Sequence, residues 1–199
     1  MKHIFLFLVS SFLIHSLPAQ TITELFVALP DSSVLGISKA EREKIIKYSL
    51  DNKNAENAYE DIRNYNLQYA LEIIDIKNGY LKLVGAIEGK WDMCYWNLGN
   101  GAKLVVAYEE GCGPVCIVEQ FDFYRFENNL FTPLSTNTII PEIYNDFFVG
   151  NVEQQKKLLD KNDITATLLF EIPRTGKNIV ARWGNENSAD VYKPYALGN

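Results

Sequence analysis

The sequence predicts an α+β fold, one antiparallel sheet with a few covering helices, and three observations lead there. From Leu67 to Phe126, apolar and polar residues alternate with period 2 in successive runs. Short turns bearing Gly or Asn separate the runs. A parallel crossover needs a dozen or more residues, so neighbouring strands must be antiparallel. Helix-start signals flank this stretch, at Ser38 before it and at Pro141 after it.

In chain order, residues 1–19 read as a cleavable signal peptide, with Lys2 as the positive n-region and Ile4 to Leu17 as the apolar h-region. Leu17-Pro18-Ala19 places a small residue before Gln20, where cleavage is expected. The apolar run is shorter than the ~20 residues that span a bilayer; a retained anchor is the alternative. No cysteine stands at a lipid-attachment position, and residues 20–199 are expected to form one soluble domain that does not span the membrane. Thr21 to Leu29 reads as a strand or extended segment, stopped by Pro30-Asp31. Ser38-Lys39-Ala40-Glu41 is a capping box that opens a helix through about Leu50, with Ile45, Ser49 and Leu50 toward the buried side. Asp51 to Asn66 reads as a polar loop with room for a helical turn.

Leu67, Tyr69, Leu71 and Ile73 then share one strand face. Lys77-Asn78-Gly79 is a hairpin turn, and Leu81, Leu83 and Ile87 repeat the alternation. Trp91–Asn97, Ala102–Glu110 and Val115–Phe126 continue it across turns at Leu98–Gly101 and Gly111–Pro114. Asn128-Asn129 begins a short return through Pro133. The result is a meander of about five or six strands that curls, with a closed barrel as the chief alternative. Pro141–Phe148 and Val152–Leu159 are helical candidates. Ile164 to Ile172 alternates again and turns at Thr175-Gly176-Lys177 into Asn178–Trp183.

Composition excludes more than it assigns. The chain is 47% apolar and 13% aromatic, enough for a packed core. Beyond residue 19 it carries 18 basic residues against 25 acidic ones, a net charge of −7. With no basic run, nucleic acid and anionic membrane are poor partners. Both histidines, His3 and His15, lie in the leader, so the mature chain has no Ser-His-Asp or Cys-His catalysis and no imidazole metal site. No catalytic, cofactor-binding or metal-ligating residue is assigned.

Cys112-Gly113-Pro114-Val115-Cys116 is the distinctive local motif. Its spacing is one longer than the thioredoxin-type Cys-x-x-Cys, no Trp precedes it, and a strand follows where a helix N-terminus would be needed to lower a thiol pKa. A structural Cys112–Cys116 disulfide across the hairpin tip is the favoured reading, with Cα atoms about 5 to 6 Å apart. Two free thiols and thiol–disulfide exchange are the alternatives. Cys94 falls opposite the region of Val105, too far from Cys112 to bridge at ~3.3 Å per residue, and reads as a buried free thiol.

Carboxylates on the strands are Asp92, Glu109, Glu110, Glu119 and Asp122. Glu119 and Asp122 cannot share a face of a regular strand, and Asp92 faces away from Trp91, Met93 and Tyr95. Solvation on an outward face is the plain expectation, and a glycosidase pair the alternative. Trp91, Tyr95, Trp96, Tyr108 and Tyr124 are either core aromatics or a sugar-stacking platform. The oxygen-rich Asp51–Asn57 lacks the Gly and terminal Glu of a calcium loop.

Leu29-Pro30-Asp31-Ser32, the Cys-x-Pro-Val-Cys hairpin and Asp122-Phe123-Tyr124, with the exported N-terminus, resemble a family of secreted proteins of unknown function from Bacteroidetes-type Gram-negative bacteria. The resemblance implies an extracytoplasmic location and no chemistry. The expected function is therefore an exported, non-catalytic binding or accessory protein of the cell envelope, with an envelope protein or glycan as partner. A carboxylate-dependent glycan hydrolase and a thiol–disulfide redox protein are the alternatives.

Overall fold

The computed structural model describes residues 20–51, 58–85, 88–113, 115–140 and 168–183. The expected signal peptide, the oxygen-rich segment after Asp51 and the helical candidates at 141–148 and 152–159 lie outside these residues.

The first element corrects the expected strand. Ile22–Ala28 is a helix, α1, opened by a capping box in which Thr21 Oγ1 accepts the Glu24 amide and Glu24 reaches back to the Thr21 amide. Ile22, Leu25, Phe26 and Leu29, all buried, follow the i, i+3, i+4, i+7 spacing of a helix face. A 3₁₀ turn at Asp31–Ser33 leads to α2, Lys39–Asp51. The Ser38–Glu41 box forms as expected. α2 buries Arg42 and Ile45. The polar segment that follows contains a full helix, α3, Ala58–Tyr65, and Tyr65 stacks on Tyr48 of α2 at 4.2 Å between centroids.

Six strands follow: β1 Tyr69–Asp75, β2 Tyr80–Gly85, β3 Gly89–Asn97, β4 Lys103–Cys112, β5 Cys116–Glu127 and β6 Leu130–Leu134. They pair antiparallel in sequence order, and the sheet stays open, not closed into a barrel. At the β1–β2 turn Gly79 has φ +68°, and a Cβ there would meet the Tyr95 ring at 2.7 Å. Position 79 therefore takes glycine for two separate reasons. Asn128 and Asn129, both at positive φ, form the tight β5–β6 turn.

Two bulges break the period-2 pattern. The β1 register shifts between Leu71 and Ile73, so Ile74 packs with Leu71 on one face and Ile73 goes to the other. In the β4–β5 pair, Glu109 faces Gln120 while Glu110 faces Val118, which leaves Glu119 as the extra residue.

The inner face of the sheet packs Leu81, Leu83, Trp91, Met93, Val105 and Phe126 beneath α1 and α2. Phe26 meets Trp91 edge-on at 5.7 Å. The opposite face carries Tyr80, Cys94, Val106, Tyr108 and Phe123. It is covered in part by the short turn α4, Thr136–Ile139, and by a hairpin of β7, Leu168–Glu171, with β8, Val180–Trp183.

A hairpin-covered sheet face as the candidate functional site

The motifs that stand out in the sequence converge on the inner face, where they lock the loop between α1 and α2. Ser33 Oγ donates to Asp122 Oδ2 at 2.9 Å and lies 2.5 Å from the Tyr124 hydroxyl. Trp91 Nε1 donates to the Ser33 carbonyl, and Gln120 Nε2 to that of Ser32. Arg42, 1% exposed, donates to Asp31 and to the carbonyls of Val27, Leu29 and Ile37. Ser33, Arg42, Trp91 and Tyr124 are buried, and the arrangement joins helices to sheet. Trp91 and Tyr124 are buried on this face while Trp96 and Tyr108 lie on the other, so the five aromatics form no shared sugar platform.

The opposite face holds the chemistry. Asp92 and Glu110, expected to be solvated, are each only 4% exposed, because the β7–β8 hairpin turns the outward face into an interior. Lys90 Nζ stands 3.7 Å from a carboxylate oxygen of each and 5.4 Å from the Tyr108 ring centroid. Arg182 on β8 grips both Glu110 oxygens at 2.7 and 2.8 Å. The Tyr108 hydroxyl donates to Glu110 and accepts the Phe170 amide at 3.0 Å. Lys90 also reaches the Phe170 carbonyl. At the far end, Trp96 Nε1 donates to the Gly176 carbonyl at 2.9 Å. The Asp75 carboxyl, held down to about 2 by Asn78 and Arg174, ties the turn of the hairpin to that of β1–β2. Polar tethers therefore fasten the hairpin at both ends.

Burial raises the Asp92 pKa above the ordinary aspartate value, against the opposing pull of Lys90 and the Tyr80 hydrogen bond. Its Oδ1 has no partner. Burial likewise pushes the free Cys94 thiol up, so Cys94 is no ready nucleophile. Cys94 pairs with Val106, one residue from its expected position.

Between the tethers lies an apolar pocket of about 490 Å³, inside the ~300–1,000 Å³ range of small-molecule sites. Leu104 and Phe123 of the sheet, Ile139 and Ile140 beside α4, and Phe170, Ile179 and Ala181 of the hairpin supply its walls. Trp96, Asn97, Leu98 and Lys177 complete the described lining, which contains no carboxylate.

A separate crevice of about 360 Å³ surrounds the disulfide hairpin. Cys112 and Cys116 are bonded, with Cα atoms 4.0 Å apart. They are nearer than expected because they are direct partners in the ladder. A strand, not a helix, follows Cys116, as expected. Glu88, Glu109, Glu110 and Glu119 line the crevice, and the bulge sets Glu119 beside Gly111. Burial, then the Glu119 charge, raises the Glu109 pKa. Glu110, Cys112 and Cys116 offer ligand atoms within 4.8 Å of one another. The sulfurs are spent in their mutual bond, however, so no thiolate is available to a metal.

Residues 14–172 match the profile of the family described as Protein of unknown function (DUF3256). The chain belongs to this family. A domain of an uncharacterized protein from Porphyromonas gingivalis W83 has a similar structure, with a TM-score of 0.57 at 12% identity. The match covers 89% of this chain and 90% of that one, and at this identity it speaks for the fold alone. No curated protein matches. Family membership agrees with the resemblance in one respect, a family of unknown function, and it assigns no activity.

Sequence reasoning placed the disulfide and named Asp92 and Glu110, but it missed Arg42, Lys90, Arg182 and the pocket. The pocket walls come from β3–β5, α4 and β7–β8, elements far apart in the chain, and no local pattern marks their meeting. A signal for Arg42 did exist: a basic residue at the α2 position three before Ile45, within the buried stripe.

Proposed function

We propose that this member of the DUF3256 family is an exported, non-catalytic binding module of the cell envelope that takes an apolar ligand, or the apolar part of a larger envelope molecule, into the pocket beneath the β7–β8 hairpin. The observation that carries this reading is the lining: nine aliphatic or aromatic side chains converge from the sheet and its β3–β4 turn, α4 and the hairpin, and no carboxylate is among the described lining residues. The export signal at residues 1–19 supports an extracytoplasmic setting, in which released apolar or amphipathic molecules need a carrier. Among the described residues, no helix is long and apolar enough to cross a membrane.

The test is titration with the neutral fluorescent probe N-phenyl-1-naphthylamine. Saturable binding is expected in the wild type, together with its loss in Leu104→Trp, which fills the pocket while keeping the face apolar. Unsaturable signal, or equal binding in Leu104→Trp, would remove the reading. The location is tested by fractionation and intact mass: the extracytoplasmic fraction should hold a chain beginning at Gln20.

A second reading has one observation in its favour. Glu109, its pKa raised by burial and by the Glu119 charge, lines with Glu119 the crevice beside the disulfide, and two carboxyl groups in one crevice, one of them with a raised pKa, are what a general-acid pair requires. Turnover of cell-wall or dietary glycans that disappears in both Glu109→Gln and Glu119→Gln would establish this alternative.

A further inference from the structure

We propose that the pocket selects a free aliphatic carboxylate, its chain held between the sheet and the hairpin and its head paired with Lys177 at the rim. This rests on the pocket reading above and adds the ligand class. Among the described lining residues Lys177 bears the only charge, and it is exposed, with no carboxylate of the described residues within ion-pair distance. The other cations near this face are committed: Lys90 sits between Asp92 and Glu110, and Arg182 grips Glu110. An ammonium with no carboxylate partner among the described residues, beside an apolar wall, is one half of an amphiphile site, since the tail buries apolar area and the head keeps both its charge partner and water. Trp96 and Asn97 stand on the same lining, and the indole N–H of Trp96, by holding Gly176, fixes the turn that carries Lys177.

The background field sharpens the inference. The whole chain has a net charge of −6, so long-range electrostatics favour a cationic amphiphile over an anionic one. A preference for the anion therefore has to come from a local group.

The experiment displaces N-phenyl-1-naphthylamine from the full chain, expressed with its own N-terminus, using dodecanoate, dodecanol and dodecyltrimethylammonium below their micelle concentrations. Dodecanoate is expected to displace the probe about fivefold more effectively than the ammonium analogue, the upper end of the scale for one exposed charge pair. Lys177→Met should remove that preference, and Lys177→Glu should reverse it, each ligand being read against that variant's own probe affinity. Equal displacement by the three ligands, or a preference that survives Lys177→Met, would overturn the carboxylate assignment while the probe still reports the pocket. Failure of the probe itself to bind would instead strike the pocket reading. Flotation with phosphatidylglycerol vesicles in the absence of dodecanoate displacement would also overturn the proposal, in favour of a membrane headgroup.

Discussion

Replacing Arg42 with Met should cost about 3 kcal/mol of folding stability, and the structure shows where the cost arises. Met preserves much of the aliphatic stem, so the loss comes from the guanidinium. That group donates to the carbonyls of Val27 and Leu29 at 2.9 and 2.7 Å, to the Ile37 carbonyl, and to Asp31 at 2.9 Å. Val27 and Leu29 belong to the last turn of α1 and its cap, whose carbonyls have no partner within the helix. Leu29 and Ile37 are buried. Leaving two such acceptors unpaired costs about 1–3 kcal/mol each. Removing a buried cation, whose Nε is itself unpartnered, returns part of that sum. Urea denaturation of the two proteins, followed by circular dichroism, reads the difference as a shift in midpoint at constant slope. A change below about 1 kcal/mol, or a stabilised Arg42→Met, would refute the reasoning. It would show that the buried charge is a net burden and that apolar packing of Ile22, Leu25, Phe26 and Leu29 is enough to hold α1.

Other consequences follow from the hairpin and its surroundings. Tyr108→Phe leaves the Phe170 amide without its acceptor, so amide exchange at Phe170 should speed up and stability should fall by about 1–2 kcal/mol; unchanged protection at Phe170 would contradict the tether. The double change Cys112→Ser with Cys116→Ser should cost only about 1–2 kcal/mol, because the closed ring is short, and a thermal melt showing a loss above 4 kcal/mol would mean the bridge organises more than its hairpin. Asp92 has a raised folded pKa, so the native state keeps a proton that the unfolded chain has already released, and stability falls as pH rises from the ordinary aspartate value through the folded one. Asp92→Asn should flatten that decline and be the more stable protein at neutral pH; identical pH profiles would show that Asp92 titrates normally.

Most of the sheet was legible in the sequence because its turns are chemically explicit. Asn78-Gly79, Asn128-Asn129 and Gly113-Pro114 each fix where a strand ends, and the alternation between them fixes the faces. The errors have local causes. Thr21 to Leu29 holds β-branched residues that favour a strand, but Thr21 and Glu24 form the same kind of capping box that was recognised at Ser38 and Glu41, and the box decides. Strict alternation put Ile73 with Leu71 because a bulge leaves no mark in the apolar pattern. The same holds for Glu119. Asp92 was expected in water because period 2 identifies faces and does not say what covers them. The same holds for Glu110, which is gripped by Arg182, 72 residues later in the chain. The signature motifs were visible but pointed to architecture: Asp31 pairs with Arg42 of α2, the Ser32 carbonyl accepts from Gln120, and Asp122 and Tyr124 hold the neighbouring Ser33.

The most direct test of the account is a ¹H–¹⁵N spectrum of the protein titrated with N-phenyl-1-naphthylamine, read at the indole N–H of Trp96. This group sits on the pocket lining, bonded to Gly176, whereas Trp91 is sealed on the inner face and bonded to Ser33. The account predicts a saturable shift of the Trp96 indole and of the Leu104, Phe123 and Ala181 amides, with the Trp91 indole unmoved. Shifts centred instead on Gly111, Cys112 and Glu119, or none at the Trp96 indole, would contradict it and move the site to the acidic crevice.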